Sequence, residues 1–260
     1  MAMAAALECR VDDAGVGRIR FNRPEIHNAF DNALIESLGA AIDALARNAA
    51  VHAVVIAAAG VSFCAGGDLA WMLRMGEARE AENVADALKL ARVLGGLATL
   101  PKPTLALVQG PAYGGGVGVV AACDIAVAAR EARFALTEVR LGIIPAVISP
   151  YVVAAIGARA AARYALTAEP FDAGEALRLG LVHEVVAAGD LEAAAARTLG
   201  ALARNSAEAM ADAKALIRAI AGRPIDAALM QETAERIARA RARPDAKTRI
   251  AAFLKRKQAR

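Results

Sequence analysis

The sequence is poor in aromatic, cysteine and histidine residues, and each scarcity argues against a class of protein. Phe, Trp and Tyr make up 4% of the 260 residues, which is little for the stacked aromatic platforms of nucleic-acid binders. The three cysteines, Cys9, Cys64 and Cys123, are odd in number and far apart. We therefore expect no disulfide framework and a reducing, cytoplasmic location. The three histidines form no metal-ligand pattern, so we predict no metal site.

Positive and negative charges are nearly balanced along the chain, except near the C-terminus, where positive charges predominate. The formal net charge is +4, and much of the excess lies within residues 239–260. Such a basic helix face usually lies in solvent, although it also suits an anionic small molecule or RNA. The long uncharged stretches Pro103–Cys123 and Leu141–Ala158 contain glycine and proline at turn positions, so we interpret them as buried core. Met1–Leu7 lacks the charged start of a signal peptide, and we predict none.

Small aliphatic residues dominate the chain, and their spacing predicts its organisation. Hydrophobic residues make up 57% of the sequence. Strand patterns alternate with helical ones until about residue 190, and after Asp190 we predict only helices, near 190–204, 206–221, 225–242 and 245–257. This order indicates an α/β body followed by an all-α tail, which we expect to form an oligomer interface.

Local patterns predict the individual elements of the body. A helix with buried positions from Leu34 to Leu45 has Asp31 or Asn28 as its N-cap. A second helix is predicted near Asn83–Ala98, and Asp172-Ala-Gly-Glu175 resembles a capping box. The predicted strands are Val16–Phe21, Val51–Ile56, Leu105–Val108, Asp124–Ala128, Phe134–Leu136 and Leu181–Val186.

A glycine-rich turn follows the strand at Leu105–Val108 and precedes an Ala/Val-rich segment. Gly114, Gly115 and Gly116 are consecutive, and glycines at a helix start let backbone N–H groups face a ligand. Gly116-Val-Gly118-Val-Val-Ala also matches a dinucleotide-binding pattern. A new strand follows at Asp124, too soon for a full crossover helix, so we disfavour a Rossmann fold.

A second glycine turn and one glutamate complete the candidate chemistry. Phe63-Cys-Ala-Gly66-Gly67-Asp68 follows the preceding strand, and two turns at the ends of neighbouring strands can each aim one N–H at a single oxygen, as an oxyanion hole requires. Glu138 lies among apolar neighbours, which disfavour its ionised form and suit it to proton transfer. Gly60-Val-Ser62-Phe-Cys lacks the closing glycine of a nucleophile elbow, and nothing in the sequence supplies Cys64 with a paired base, so we expect neither to be a nucleophile.

The motifs that carry this chemistry resemble those of the crotonase superfamily, the enoyl-CoA hydratases and isomerases. Phe63-Cys-Ala-Gly-Gly-Asp68, Gly110-Pro-Ala-Tyr-Gly-Gly-Gly116 and Glu138-x-x-x-Gly-Ile-Ile-Pro145 occur in the order and spacing of that family. Val117–Asp124 and Thr137–Tyr151 further resemble the bacterial methylglutaconyl-CoA hydratase-like branch. The resemblance covers nearly the whole chain.

The resemblance implies a spiral of ββα units over residues 1–195 and a helical trimerisation domain over 196–260, in trimers or hexamers. It implies an acyl-CoA thioester as substrate, no separate cofactor, no metal and no membrane. The thioester oxygen would lie between the N–H groups of Gly67 and Gly115, with Glu138 catalytic. The implied substrate-binding residues are Ala65, through its carbonyl to the adenine, Gly66, Asp68, Gly114, Gly118, Ala146, and Lys255 and Lys257 near the CoA phosphates.

The sequence departs from the family pattern where the first of two catalytic glutamates is expected. That position, two residues beyond the glycine triplet, is Gly118. Many members also have a glycine-rich run where this chain has Ala146-Val-Ile-Ser149, and we expect these larger residues to shape the acyl pocket.

Three hypotheses for the function stay open. We first predict hydration of a branched 2-enoyl-CoA such as 3-methylglutaconyl-CoA, in fatty-acid or leucine breakdown, with Glu138 as the one carboxylate. An alternative is a Δ3,Δ2-enoyl-CoA isomerase that uses Glu138 alone. The alternative from another class is an acyl-CoA- or RNA-binding protein without turnover.

Overall fold

A computed structural model describes residues 5–258 of the chain. The first four residues of the apolar N-terminal segment and Arg260 of the basic segment lie outside the described residues. The strands are β1 (Leu7–Val11), β2 (Val16–Phe21), β3 (Ala53–Ala58), β4 (Thr104–Val108), β5 (Ala112–Tyr113), β6 (Ile125–Ala129), β7 (Arg133–Ala135), β8 (Phe171–Asp172) and β9 (Glu184–Val186). The helices are α1 (Asn32–Arg47), α2 (Leu69–Glu77), α3 (Glu80–Thr99), α4 (Gly115–Ala122), α5 (Ser149–Thr167), α6 (Ala173–Leu179), α7 (Leu191–Leu202), α8 (Ala207–Ile220), α9 (Ala227–Ala242) and α10 (Pro244–Gln258).

Two sheets form the body. The larger has the order β1-β2-β3-β4-β6-β9 and is parallel except for the β1–β2 hairpin, and the smaller has the order β5-β7-β8. The main core joins β2, β3 and β4 to α1, α3 and α4, and a second apolar cluster covers the other face of the large sheet. Strands covered on both faces explain the continuous aliphatic runs at β3 and β4.

The chain repeats one unit of strand, strand and helix. In each unit the first strand (β3, β4 or β6) joins the large sheet. The second extended segment of the unit pairs with strands of the small sheet. The second pairings are an isolated bridge between Cys64 and Ala112, then β5, then β7. The segments that follow these three pairings begin at Ala65, Gly114 and Leu136, so successive units bring the two glycine turns and Glu138 to one edge. The α/β spiral is therefore the fold that the sequence predicted.

Polar side chains set the register of the strands that carry this edge. The carboxylate of Asp124 accepts from the backbone N–H of Thr104 at 2.8 Å and from its hydroxyl at 2.9 Å. In return, the N–H of Asp124 donates to Thr104 Oγ1 at 2.8 Å. These bonds join the starts of β4 and β6, whose parallel register they help to fix.

Several elements begin where the sequence predicts. Asp31 caps α1 by accepting from the N–H of Leu34 at 2.9 Å, and Asp172 caps α6 by accepting from that of Glu175 at 2.8 Å. The sequence of residues 149–156 and 158–166 predicts two short helices. They are the two halves of α5, which is interrupted by the non-helical Gly157 (φ 76°, ψ 154°). Helix α2 has no counterpart among the predicted elements.

The chain divides into two compact units, residues 1–203 and 204–260. The sequence placed this boundary after residue 195. The difference arises because α7 belongs to the body: Leu191, Ala194 and Ala195 are buried with residues of β4 and β6. Helices α8, α9 and α10 form the second unit. Within residues 5–258, no helix is both long and apolar enough to cross a membrane.

Candidate active site

A cavity of about 670 Å³ opens where the three repeated units meet. Its lining comes from the two glycine turns, from α2 and α3, and from the segment Thr137–Ile148. Among the residues predicted for the site, it contains Ala65, Gly66, Gly67, Asp68, Gly114, Gly115, Glu138 and Ala146.

The first glycine turn is held by the segment just before α1. The N–H of Phe30 donates to the carbonyl of Gly66 at 2.7 Å, and the N–H of Asp68 donates to the carbonyl of Phe30 at 2.7 Å. The fully buried Asn28 anchors that segment by donating to the carbonyls of Ala59 and Ser62, both at 2.9 Å. Asn28 therefore holds the segment before α1 in place and does not cap α1.

The second glycine turn lies directly against the first. Tyr113 N–H donates to the carbonyl of Cys64 at 2.8 Å, and a Cβ added to Gly114 would stand 3.8 Å from Gly66 Cα. Gly114 has φ 47° and ψ −114°, a conformation that only glycine adopts readily. Its backbone turns the chain from β5 into α4.

Each turn presents a backbone donor that the described chain leaves unused. The N–H groups of Gly67 and Gly115 donate to no other described residue. The Gly66 carbonyl and the Asp68 N–H both point toward Phe30. Because backbone groups of an extended chain alternate in direction, the Gly67 N–H between them points away from Phe30. Gly115 is the first residue of α4, where N–H groups have no partner in the helix. Two such donors in one cavity suit an oxyanion.

Glu138 supplies a carboxylate to the same cavity. It begins a single turn of 3₁₀ helix, Glu138–Leu141, after β7. A Cβ on Gly114 would stand 2.9 Å from Glu138 Oε1, so glycine is required for this approach. Glu138 Oε2 is buried and has no hydrogen-bond partner among the described residues. Burial raises the pKa of Glu138, against a smaller opposing effect of its own backbone N–H, as expected for a proton-transfer group.

Gly118 does not line the cavity, although the resemblance implied that it would bind substrate. A Cβ added to Gly118 would stand 2.9 Å from the Cβ of Ile148 and closer still to its Cγ2. Ile148 is 3% exposed and itself lines the cavity. The space that a glutamate side chain would need at position 118 is therefore filled by isoleucine.

The remaining ionisable candidates have structural surroundings. Burial raises the pKa of Cys64 to about 12, so its thiol is a poor nucleophile. His27, His52 and His183 bond Ser62 Oγ, the Gly15 carbonyl and the Ala126 N–H respectively. No group of three His, Cys, Asp or Glu side chains in residues 5–258 could hold a metal ion. Lys255 and Lys257 are exposed on α10.

Comparison with known proteins gives this geometry a context. The sequence profile of the enoyl-CoA hydratase/isomerase family matches residues 12–260. The chain belongs to this family. A Thermus thermophilus protein named as an enoyl-CoA hydratase is 36% identical over 213 residues, which are 82% of this chain and 84% of that protein. A 4-chlorobenzoyl coenzyme A dehalogenase from Arthrobacter is 35% identical over 78% of this chain and 73% of its own.

Solved structures agree with the family assignment. The crystal structure of an enoyl-CoA hydratase from Shewanella pealeana superposes with a TM-score of 0.94 at 41% identity, over 97% of this chain and 94% of that one. The predictions of a crotonase fold and of an enzyme of the enoyl-CoA hydratase kind are confirmed at this level. Because a relative is named as a dehalogenase, membership of the family does not by itself define the reaction.

Helix α2 contributes residues that the sequence reasoning missed. Asp68 caps α2 by accepting from the N–H of Trp71 at 2.8 Å. A Cβ on Gly67 would stand 3.4 Å from Trp71 Cζ3 and 3.1 Å from Met72 Sδ, so both side chains lie against this glycine. The indole nitrogen of Trp71 is buried with no partner among the described residues. An aspartate followed by five mostly apolar residues was the available signal for this helix.

Proposed function

We propose that this chain adds water across the 2,3 double bond of a branched 2-enoyl-CoA. The observation that carries the proposal is one cavity that contains the carboxylate of Glu138 and the backbone N–H groups of Gly67 and Gly115, which donate to no other described residue. The N–H groups would bind the thioester oxygen and stabilise the enolate that forms when water attacks C3. Glu138 would accept a proton from that water and deliver it to C2, so that H and OH are both added to the substrate.

A single carboxylate performs both proton transfers in this proposal. Asp68 is the other ionisable residue of the cavity, but its side chain accepts from the N–H of Trp71 as the cap of α2. Ile148 occupies the space beside Gly118. Glu138 is therefore the group available to hold the water.

The lining supports an uncharged acyl group. Among residues 5–258, none that lines the cavity is Lys, Arg or His. A second carboxylate on the acyl chain would meet Glu138 without a cation, which is unfavourable in a buried site. We therefore place neutral branched acyl groups first, and 3-methylglutaconyl-CoA, with its free carboxylate, stays a prediction to be tested beside them.

Isomerisation is the second candidate, and the single carboxylate favours it. Glu138 could remove a proton from C2 of a 3-enoyl-CoA and return it to C4, with the enolate held by the same N–H groups. Incubation with 2-enoyl-CoA and with 3-enoyl-CoA separates the two reactions, because only hydration yields a 3-hydroxyacyl product.

The second unit has two proposed roles. Its exposed basic residues Lys255 and Lys257 would contact the CoA phosphates. Its exposed apolar side chains, among them Ile225, Met230 and Phe253, would pack against other copies of the chain in a homotrimer or a dimer of trimers. Sedimentation should then give three or six times the mass of the chain.

The test of the reaction is Glu138→Gln. We expect hydration to fall by about 10²- to 10⁴-fold, the usual contribution of a general acid–base group, with acyl-CoA affinity retained because the N–H donors remain. The rate of hydration is measured by product analysis over a panel of neutral branched enoyl-CoAs and 3-methylglutaconyl-CoA. Glu131→Gln, at an exposed turn, is the matched control. Undiminished hydration by Glu138→Gln would contradict the proposal.

A further inference from the structure

A second, apolar cavity of about 250 Å³ lies next to the first. It sits in the angle of the broken helix α5. Ser149, Val152 and Val153 come from the half before Gly157, whereas four alanines come from the half after it. Pro145 and Ile148 line both cavities. These two residues therefore separate the active site from the second cavity.

The second cavity is built to hold hydrocarbon. Its lining is aliphatic apart from Ser149, whose hydroxyl already donates to the carbonyl of Pro145 at 2.6 Å. No charged side chain of the described part of the chain lines it, and the four small alanine side chains leave its volume open. An alkyl chain could enter without burying an unpaired polar group.

Ile148 is the part of the partition whose size a substitution can reduce. Its side chain packs against Gly118, where any larger residue would displace it. It is 3% exposed, so it fills the gap between the two cavities and does not project into solvent. Pro145 is restricted by its ring. The size of the residue at position 148 therefore decides whether the two cavities communicate.

We infer that Ile148 sets the acyl-chain length that this enzyme accepts, by closing the active site off from a distal alkyl pocket. With Ile148 in place, the site takes short acyl groups, and a longer straight chain meets the isoleucine. This inference rests on the proposed function, because it concerns the acyl group of the same substrate.

The experiment compares Ile148→Ala with the natural enzyme on straight 2-enoyl-CoAs of four to ten carbons. Burial of each further methylene is worth about fourfold in kcat/KM. We expect the ratio of kcat/KM for the ten-carbon to the four-carbon substrate to rise about tenfold or more. Ile148→Val, a milder change, should move the ratio in the same direction by less, and it serves if the alanine variant does not fold.

Two further variants test which cavity the acyl chain of the substrate enters. Val147→Ala widens only the first cavity and should leave the ratio unchanged. Val153 lines only the second cavity, so adding Val153→Phe to Ile148→Ala should fill that cavity and cancel the gain. A ratio that is unchanged in Ile148→Ala, or a gain that survives Val153→Phe, would overturn the inference.

If the proposed hydration itself is wrong, the same variants give a result that differs from failure of the Ile148 inference. In that case the natural enzyme turns over no enoyl-CoA of any length. The chain-length dependence is then measured as binding affinity for saturated acyl-CoAs of the same lengths. Ile148→Ala should still favour the longer ones, and equal affinities in both proteins would refute the role of Ile148.

Discussion

At the scale of single residues, the backbone N–H of Gly115 can be removed while its position is kept. Gly115 is the first residue of α4, where proline is tolerated because the N–H has no helical partner. Gly115→Pro should lower kcat by about 10²- to 10³-fold relative to Gly115→Ala, the usual effect of losing one oxyanion donor. Stopped-flow or steady-state hydration assays measure the difference.

Gly115→Ala is the matched control because both variants add a Cβ that contacts the ring of Phe30. That Cβ would stand 2.9 Å from Phe30 Cδ2, so each variant must shift the ring. Equal kcat values for the two variants would show that the Gly115 N–H is not an oxyanion donor.

Glu138 also gives a prediction about stability and pH. Burial raises its pKa in the folded chain above the usual value of 4.5, so the folded state binds the proton more tightly than the unfolded state. The stabilisation by the proton is complete below pH 4.5 and is lost as the pH rises through the raised pKa. Glu138→Gln has no such loss, so its Tm relative to the natural protein should be higher at pH 7 than at pH 4.

Thermal unfolding at pH 4 and pH 7 tests the direction of this Tm difference. Glu131→Gln, which removes an exposed carboxylate, is the control. A Tm difference that is constant with pH would mean that the Glu138 carboxyl is not held in a site that disfavours its charge.

At the scale of elements, the start of α2 couples helix capping to the site. Asp68 caps α2, and α2 places Trp71 and Met72 against Gly67. Asp68→Ala should lower the free energy of unfolding by about 1 kcal/mol, as expected for a lost N-cap. It should also raise KM several-fold, because the side chains that border the oxyanion turn are no longer held.

Asp172→Ala provides the comparison for this change. Asp172 caps α6 with the same geometry, at 2.8 Å to the N–H of Glu175, and does not line the cavity. Urea unfolding should show similar losses for both variants, whereas only Asp68→Ala should change KM. Equal kinetic effects would show that the cap of α2 has no special link to the site.

At the scale of the whole molecule, the basic end of α10 is proposed to bind the CoA phosphates. Reversing the charge in the double variant Lys255→Glu, Lys257→Glu should raise KM for an enoyl-CoA about tenfold, or about 1.4 kcal/mol. KM for the corresponding enoyl-pantetheine, which has no phosphates, should not change. The effect on the CoA substrate should shrink with added salt.

Lys247→Glu, on the same helix, serves as the control for net charge. If it raises KM as much as the double variant, the effect comes from the general field of the protein and not from a phosphate contact.

The sequence alone predicted the elements whose residues carry a local signal. The period of Leu34 to Leu45 and the capping carboxylate of Asp31 define α1 without reference to any other part of the chain. The uncharged runs at β3 and β4 are buried strands because a parallel sheet is covered on both faces. The two glycine turns and Glu138 were also recognisable, because each comes soon after a predicted strand.

Tertiary structure decided what no local pattern contains. Helix α7 lies with the body because Leu191, Ala194 and Ala195 meet the large sheet, which moves the boundary to residue 203. Gly118 was recognised as a missing carboxylate, but only packing shows that Ile148, thirty positions along the chain, fills its place. Contacts between distant residues depend on how the elements pack, and the sequence near either residue does not record them.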